Sequence, residues 1–162
     1  MSHHAQFRID GHKLHLHPQR VADWLDGKNI APIYMEISPA GACNHRCCFC
    51  ALDFMQYRPS FLPAEIMHDR FTEMGKAGVK AVMFAGEGEP FLHKEMAILT
   101  ESAKGAGIDV AFTTNASQLK PETARRILPL TSWIKVSCNA GTEQTYGQVH
   151  GTKPEDFEKV MR

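Results

Sequence analysis

The 162-residue sequence has no net charge, no long hydrophobic run and no repeated or low-complexity segment. Eighteen Lys and Arg residues balance eighteen Asp and Glu residues. There is therefore no overall basic field that would attract a nucleic acid or a membrane surface, and we expect neither as a partner. No apolar run approaches the roughly 20 residues that span a bilayer, and the polar start Met1-Ser2-His3-His4 does not resemble a signal peptide. These absences, with 43% hydrophobic and 22% charged residues, predict a globular protein with a cytoplasmic location.

Cysteine is scarce outside one stretch. Four of the five cysteines fall in the cysteine loop (residues 43–50), Cys43-Asn44-His45-Arg46-Cys47-Cys48-Phe49-Cys50. In a cytosolic protein, clustered thiols are more often metal-binding or catalytic than disulfide-bonded. Cys43, Cys47 and Cys50 form the pattern C-x3-C-x2-C, which is one ligand short of a tetrahedral metal site or a four-thiolate cluster. We therefore expect the missing ligand to come from outside the protein.

The first thirty residues predict a hairpin followed by a helix. Phe7-Arg8-Ile9 and Lys13 to His17 flank Asp10-Gly11, a pair typical of a tight β-turn. A short amphipathic helix is predicted to begin at Pro18 and to end near Gly27. We interpret residues 1–30 as an N-terminal extension and residues 31–162 as the core domain.

From residue 33 onward, short apolar runs alternate with amphipathic segments. The predicted strands are Ile33–Ile37, Lys80–Ala85 (an apolar run expected to be buried on both sides), Ile108–Thr113 and Trp133–Val136. Helices are predicted from Pro63 to Gly75 or Gly78, and over Met96, Leu99 and Ala103 to Gly105 or Gly107. Another is predicted from Pro121 to Leu130, with Ala124, Ile127 and Leu128 inward. The last two are predicted from Thr142 to Gly147 and from Pro154 to Arg162. This alternation predicts an α/β fold with a parallel sheet and right-handed crossovers.

A polar or glycine-rich segment follows each predicted strand. These segments are the cysteine loop, Gly86-Glu87-Gly88-Glu89-Pro90, Thr114-Asn115-Ala116-Ser117 and Ser137-Cys138-Asn139. Because the carboxyl ends of parallel strands meet at one edge of a sheet, where ligands collect in such folds, we expect these segments to form one shared site.

These motifs together resemble the radical S-adenosylmethionine (radical SAM) enzymes. C-x3-C-x2-C after a first strand, with Phe49 just before the last cysteine, is similar to the cluster motif of that family. The segment from Gly86 to Pro90 resembles the family's Gly-Gly-Glu motif, except that Glu87 stands where the pattern usually has its first glycine. Either Glu87 is a tolerated variant whose side chain points into the site, or the backbone differs there. The resemblance covers Ile33 to Arg162.

The resemblance implies a partial (β/α) barrel and two cofactors, a [4Fe–4S] cluster and S-adenosylmethionine. An electron from the cluster would cleave S-adenosylmethionine to methionine and a 5′-deoxyadenosyl radical, which takes a hydrogen atom from the substrate. A flavodoxin or ferredoxin is the expected electron donor. The implied residue roles are Cys43, Cys47 and Cys50 as ligands to three irons, Gly86, Glu87, Gly88 and Glu89 around the methionine amino group, Phe49 beside the adenine, and Asn115, Ser137 and Asn139 as contacts to the ribose or carboxylate.

The remaining cysteines and the reaction leave alternatives open. Cys48 is interpreted as a spare thiol, and Cys138 as either a hydrogen-atom donor or a small residue at a strand end. The substrate could be a peptide or protein side chain or a small metabolite. A non-catalytic iron–sulfur or zinc module for electron transfer or assembly is the alternative to an enzyme, and a degenerate fold that serves as a binding subunit is a third hypothesis.

The number of strand–helix units is smaller than the resemblance implies. Radical SAM domains usually have six units, whereas this sequence supplies four and ends at Arg162 inside a helical pattern. An uncovered fourth strand would leave an open sheet edge. We therefore expect these residues to belong to a longer polypeptide, or a partner to cover that edge.

Overall fold

Four parallel strands form one open sheet in the computed structural model, which describes residues 12–52, 54–56 and 58–162. The strands are β1 (Tyr34–Ile37), β2 (Ala81–Phe84), β3 (Asp109–Thr114) and β4 (Thr131–Val136). They lie in the order β1-β2-β3-β4, and each pairs in parallel with the next. The four predicted strands, their parallel arrangement and the α/β class are confirmed.

Within the described residues, six α-helices accompany the strands. They are α1 (Pro18–Leu25), α2 (Ala64–Ala77), α3 (Met96–Gly105), α4 (Pro121–Ile127), α5 (Glu143–His150) and α6 (Asp156–Met161). Proline begins α1 and α4, where its missing N–H costs nothing. Gly78 ends α2 in the left-handed conformation, with a φ of 92°. The predicted helices are thus present in the predicted order.

The core lies between the sheet and helices α2 and α3. Phe71 of α2 and Leu99 of α3 are fully buried with Val82 and Phe84 of β2, and the Phe71 and Phe84 rings meet edge to face. On the opposite face of the sheet, Met83 is only half-buried. The expectation that the second strand is buried on both sides is therefore wrong, because the helices cover one face of it.

Two predicted elements differ in detail. Lys13 to His17 do not form a strand, because Leu14–Leu16 close a 3₁₀ turn with backbone hydrogen bonds; residues 7–11 of the predicted hairpin lie outside the described residues. The helix predicted from Pro121 to Leu130 ends as α4 at Ile127 and continues as a 3₁₀ turn over Leu128–Leu130, since Pro129 has no N–H to continue an α-helix. Ile127 is buried as predicted, but Leu128 is half exposed, so its inward placement is wrong.

The described residues contain no helix that is both long enough and apolar enough to cross a lipid bilayer. The longest helix, α2, has 14 residues, fewer than the roughly 20 that a membrane span requires.

Candidate metal and cofactor site

The cysteine loop begins at the carboxyl end of β1 and is held by main-chain hydrogen bonds before its first cysteine. The Gly41 N–H donates to the Ser60 carbonyl at 2.6 Å, and the Glu89 N–H donates to the Ala42 carbonyl at 2.8 Å. The second contact joins the residue just before the cysteine loop to the segment that follows β2. The predicted meeting of these two motifs at one edge of the sheet is therefore present.

Two glycines allow this close approach. Gly86 has a φ of +100°, and a Cβ there would lie 2.7 Å from the Ser38 Cβ. A Cβ on Gly88 would overlap the carbonyl oxygens of Ala40 and Ala42. Both positions thus require glycine, one for conformation and space and the other for space alone.

Glu89 is the buried anchor of this side of the site. Its side chain is 2% exposed. One carboxylate oxygen accepts hydrogen bonds from the Phe91 N–H at 3.0 Å and the Thr114 hydroxyl at 2.5 Å, and the other accepts from the Asn115 N–H at 2.7 Å. Burial raises the pKa of the Glu89 carboxyl above its ordinary value, although these three hydrogen bonds act in the opposite direction. Glu89 therefore ties the end of β3 to the segment after β2.

Asn115 connects the end of β3 to the cysteine loop. Its amide nitrogen donates to the Asn44 side-chain oxygen at 3.1 Å and lies 3.9 Å from the Cys43 sulfur. Its side-chain oxygen accepts from the Ser117 hydroxyl at 2.8 Å, and the Asn44 amide donates to that hydroxyl at 2.8 Å. This closed set of polar contacts fixes the first part of the loop beside Cys43.

The second part of the cysteine loop lies on the carboxyl end of α5. The Arg46 N–H donates to the His150 carbonyl at 2.9 Å, and the Cys48 N–H donates to the Val149 carbonyl at 3.0 Å. These carbonyls belong to the last turn of the helix, where carbonyl groups have no hydrogen-bond partners within the helix itself. Gly151 follows with a φ of +54°, and a Cβ there would overlap the Arg46 carbonyl. The end of α5 is therefore built to receive the loop.

On this side of the site, the ring of His45 in the cysteine loop packs against the rings of Tyr146 and His150 in α5. His45 is buried, and its ring lies edge-on to Tyr146 and 5.6 Å from the His150 ring. Burial lowers the pKa of the His45 imidazole and raises the pKa of Tyr146 to about 12. Both side chains are therefore neutral near pH 7. The nearest acidic oxygen to His45 is that of Asp156, 3.7 Å from Nε2.

A compact group of potential metal ligands is formed by His45, Cys47 and His150. Their ligand atoms all lie within 4.8 Å of one another. The Cys47 sulfur is 3.2 Å from Nδ1 of His150, and the Asn139 N–H donates to Nε2 of the same ring at 3.2 Å. The segment after β4 thus reaches the cysteine loop through His150.

The three cysteines of C-x3-C-x2-C have the chemistry of a cluster site. All are free thiols; Cys43 and Cys47 are half-buried, and Cys50 is exposed. Burial, and then the charges of Cys43 and Cys50, raise the pKa of Cys47 to about 11. Burial also raises the pKa of Cys43, with smaller contributions from Glu89 and Cys50. Because the thiolates repel one another, a cationic group that binds all of them would stabilise the set, and an iron–sulfur cluster fits this donor set.

The other predicted site residues lie at the same edge of the sheet with fewer contacts. Phe49 is 61% exposed, and its ring meets the His150 ring edge to face at 6.0 Å. Glu87 borders a small cavity of about 80 Å³ together with Cys43 and Arg46.

Ser137 and the segment after it complete the edge. The Ser137 N–H donates to the Thr114 carbonyl at 2.8 Å, so it continues the pairing of β3 with β4. Asn139 is exposed, and its contact to His150 is made by the backbone. Cys138 is exposed, with its sulfur 3.6 Å from the Ala140 carbonyl, and Cys48 is exposed in the loop.

The contribution of α5 to the site was not predicted from the sequence. The predicted helix ends at Gly147, whereas α5 continues to His150 and is followed by Gly151. A histidine followed by glycine is a recognised signal of a helix carboxyl end. That signal could have placed the helix end correctly, but the contact with the cysteine loop is a long-range feature with no local pattern.

Comparison with known proteins gives a family match and several relatives. A family model described as "Radical SAM superfamily" matches residues 37–162. A GTP 3′,8-cyclase of Tolumonas auensis is 38% identical over 93 residues, which are 54% of this chain and 27% of that protein. A GTP 3′,8-cyclase of Haemophilus influenzae is 33% identical over 138 residues, which are 80% of this chain and 39% of that protein.

A third relative and the solved structures extend this comparison. An S-adenosylmethionine-dependent nucleotide dehydratase of Lacinutrix mariniflava is 31% identical over 107 residues, 63% of this chain and 22% of that protein. The chain thus spans less than half the length of these three relatives. The crystal structure of Streptococcus suis SuiB bound to S-adenosylmethionine has a TM-score of 0.70 at 24% identity, covering 91% of this chain and 35% of SuiB. TYW1 with a lysine-pyruvate adduct has a TM-score of 0.63 at 19% identity, covering 96% of this chain and 62% of TYW1.

Proposed function

Because this chain belongs to the radical SAM superfamily, we propose that it is the cofactor-binding part of an enzyme that cleaves S-adenosylmethionine reductively. Membership confirms the predicted resemblance, and the open parallel sheet with its likeness to the solved structures confirms the partial-barrel fold. Membership also supports the assignment of the whole protein as an enzyme. Enzymes of this superfamily use a [4Fe–4S] cluster and S-adenosylmethionine. When bound, this pair supplies the electron and the 5′-deoxyadenosyl radical that abstracts hydrogen from a substrate.

The observation that carries the proposal is the set of three thiols on a loop fixed from both sides. In this proposal Cys43, Cys47 and Cys50 each bind one iron, and the fourth iron is left for the amino and carboxylate groups of S-adenosylmethionine. The cysteine loop is held by Asn115 on one side and by the end of α5 on the other. Such a fixed loop would hold the cluster at the carboxyl ends of the strands, where S-adenosylmethionine would bind.

The segment 86–90 is proposed to receive the methionine amino group. A carboxylate offers about four acceptor sites, and the three hydrogen bonds to Glu89 leave one for a ligand. Glu87 borders the cavity beside Cys43 and offers a second carboxylate there. Gly86 and Gly88 allow this segment to lie close to the cysteine loop. Acceptors of this kind suit an ammonium group.

The remaining contacts to S-adenosylmethionine are proposed from where the residues lie in the fold. Phe49 is exposed at the end of the cysteine loop, where its ring face is free to stack on the adenine. Asn115, Ser137 and Asn139 lie at the ends of β3 and β4, within the same edge of the sheet. They are proposed to contact the ribose or the carboxylate.

A nucleotide is the substrate class that we propose first. The three relatives at 31–38% identity are named as two GTP 3′,8-cyclases and a nucleotide dehydratase. A peptide substrate is the second candidate, since SuiB has been crystallised with its precursor peptide SuiA. That likeness, at 22% identity, shows the fold alone, so we give the nucleotide precedence.

The whole protein is proposed to extend beyond these elements. Residues 31–162 would form the cofactor-binding core, with residues 1–30 as an extension. The β4 strand is the last in the described sheet and pairs on one side with β3. We propose that further strands, or a partner, cover its other side in the complete enzyme, and that a flavodoxin or ferredoxin supplies the electron.

Anaerobic reconstitution with iron and sulfide, followed by dithionite and S-adenosylmethionine, tests the proposal. The expected result is a four-iron cluster and formation of 5′-deoxyadenosine by the full-length polypeptide, increased by a nucleoside triphosphate. An electron-transfer or assembly module would bind metal without this product. A chain that takes up only zinc or a two-iron centre would overturn the proposal.

A further inference from the structure

His150 contacts both the cysteine loop and the segment after β4 through opposite sides of its ring. The side chain is 1% exposed. Its Nδ1 lies 3.2 Å from the Cys47 sulfur, and its Nε2 lies 3.2 Å from the Asn139 backbone nitrogen. The ring stacks on Tyr146 with a centroid distance of 4.2 Å and an interplanar angle of 30°. These contacts leave the imidazole one orientation.

The Asn139 contact determines which ring nitrogen carries the proton. A backbone N–H can only donate, so Nε2 of His150 must be the acceptor. A neutral imidazole has one N–H, and it therefore lies on Nδ1. Because an imidazolium has no acceptor nitrogen, the same contact requires the neutral ring. Nδ1–H is then directed at the Cys47 sulfur.

The Asn139 contact also excludes His150 as a metal ligand in this geometry. A histidine that binds a metal through one nitrogen almost always donates its other N–H to an acceptor. Here the second nitrogen faces a donor, so Nδ1 would have to lose its only proton to bind a metal. The closeness of His45, Cys47 and His150 thus indicates a hydrogen bond to sulfur and not a three-ligand metal site.

We propose that His150 is a positioning residue that donates a hydrogen bond from Nδ1 to the Cys47 thiolate when the cluster is bound. This inference rests on the proposed function, since it concerns one ligand of the proposed cluster. Hydrogen bonds to the sulfur ligands set the reduction potential of iron–sulfur clusters. A donor stabilises the additional negative charge of the reduced cluster, so His150 makes the cluster easier to reduce. It also couples the cluster to the end of β4 through Asn139.

Redox titration of the reconstituted chain, monitored by EPR, tests this role. In His150→Phe the ring and its stacking are kept but the donor is lost, and we expect the reduced-to-oxidised ratio at a fixed potential to fall about tenfold, a shift of about 59 mV to more negative potential. His150→Asn places an amide N–H near the position of Nδ1 and should restore most of the shift. Tyr146→Phe removes a buried hydroxyl that has no hydrogen-bond partner among the described residues and keeps the ring that stacks on His150, so it should leave the potential unchanged.

An unchanged potential in His150→Phe with a full cluster would overturn the inference and leave the proposed function intact. Failure of the unaltered chain to form a four-iron cluster would overturn the proposed function instead. If His150→Phe does not fold, NMR of the unaltered chain with nitrogen-labelled histidine decides the point. A proton on Nδ1 of His150 is expected, and a proton on Nε2 would contradict the inference.

Discussion

The two sides of the cysteine loop are held in different ways. On the sheet side, the buried carboxylate of Glu89 accepts three hydrogen bonds, and Asn115 joins Asn44 to the end of β3. On the helix side, rings pack against one another; within the described residues, both ring nitrogens of His45 and the hydroxyl of Tyr146 are buried without a hydrogen-bond partner. The sheet side is therefore a satisfied polar network, and the helix side is a packed cluster with unsatisfied polar atoms.

This difference indicates a division of roles. A satisfied buried network is rigid and costly to disturb, so the sheet side sets where the loop lies. Among the described residues, the helix side makes fewer polar contacts to the loop side chains, and His150 contacts the sulfur of the proposed ligand Cys47. That side is where the properties of the proposed cluster could be adjusted without moving the loop.

The largest expected effect is loss of the cluster itself. Cys47→Ala removes a proposed iron ligand, and most of the bound iron and sulfide should be lost after reconstitution. Cys48→Ala changes the adjacent, exposed thiol and should retain nearly the full content. Iron and sulfide analysis with EPR measures both. Equal loss in the two variants would show that the ligands are wrongly assigned.

Breaking the sheet side should cost the most stability. Glu89→Ala leaves three buried donors, those of Phe91, Thr114 and Asn115, without their acceptor. Each unsatisfied donor costs about 1–3 kcal/mol, so the free energy of unfolding should fall by about 3 kcal/mol or more. Glu87→Ala, at an exposed carboxylate of the same motif, should change it by less than about 0.5 kcal/mol. Urea denaturation of the apo-protein compares the two, and similar losses would contradict the account of Glu89.

Breaking the main-chain contact on the helix side should have an intermediate effect. Gly151→Ala places a Cβ at positive φ and against the Arg46 carbonyl, and we expect a loss of about 2–3 kcal/mol together with weaker cluster retention. Gly27 also has positive φ, +75°, but a Cβ there meets nothing within 4 Å. Gly27→Ala should therefore cost about 1 kcal/mol and leave the cluster in place. Urea denaturation measures the loss of stability, to which backbone strain contributes in both variants, and iron content after reconstitution measures the effect on the loop. Equal iron content in the two variants would argue against the contact between Gly151 and the loop.

The smallest expected effect concerns the unsatisfied hydroxyl. Tyr146→Phe removes a buried oxygen and keeps the ring that stacks on His150. The free energy of unfolding should stay the same or rise by up to about 1 kcal/mol, because no hydrogen bond is lost. Thermal unfolding gives the sign. A loss above about 1 kcal/mol would mean that the hydroxyl has a partner and that the helix side is as satisfied as the sheet side.

The order of the strands and the meeting of the segments after them could be predicted because their signals are local. The alternation of strands and helices fixed the order of β1 to β4, and the glycines and Glu89 lie in a contiguous segment. The helix side was not predicted, since it depends on contacts between residues about a hundred positions apart, such as Cys47 and His150. The strand expected at Lys13 to His17 was wrong for a related reason. Alternating residues predict a strand only where a second strand pairs with them, and here the chain turns before Pro18 instead.

The central claim is that three cysteines hold a four-iron cluster whose remaining iron binds S-adenosylmethionine. The most direct test is electron–nuclear double resonance of the reduced, reconstituted chain with S-adenosylmethionine labelled at the methionine amino nitrogen. The account predicts a ¹⁵N hyperfine coupling between the cluster and that nitrogen, which is replaced by the corresponding ¹⁴N coupling when unlabelled S-adenosylmethionine is substituted. A four-iron cluster that shows no such coupling under saturating S-adenosylmethionine would contradict the claim.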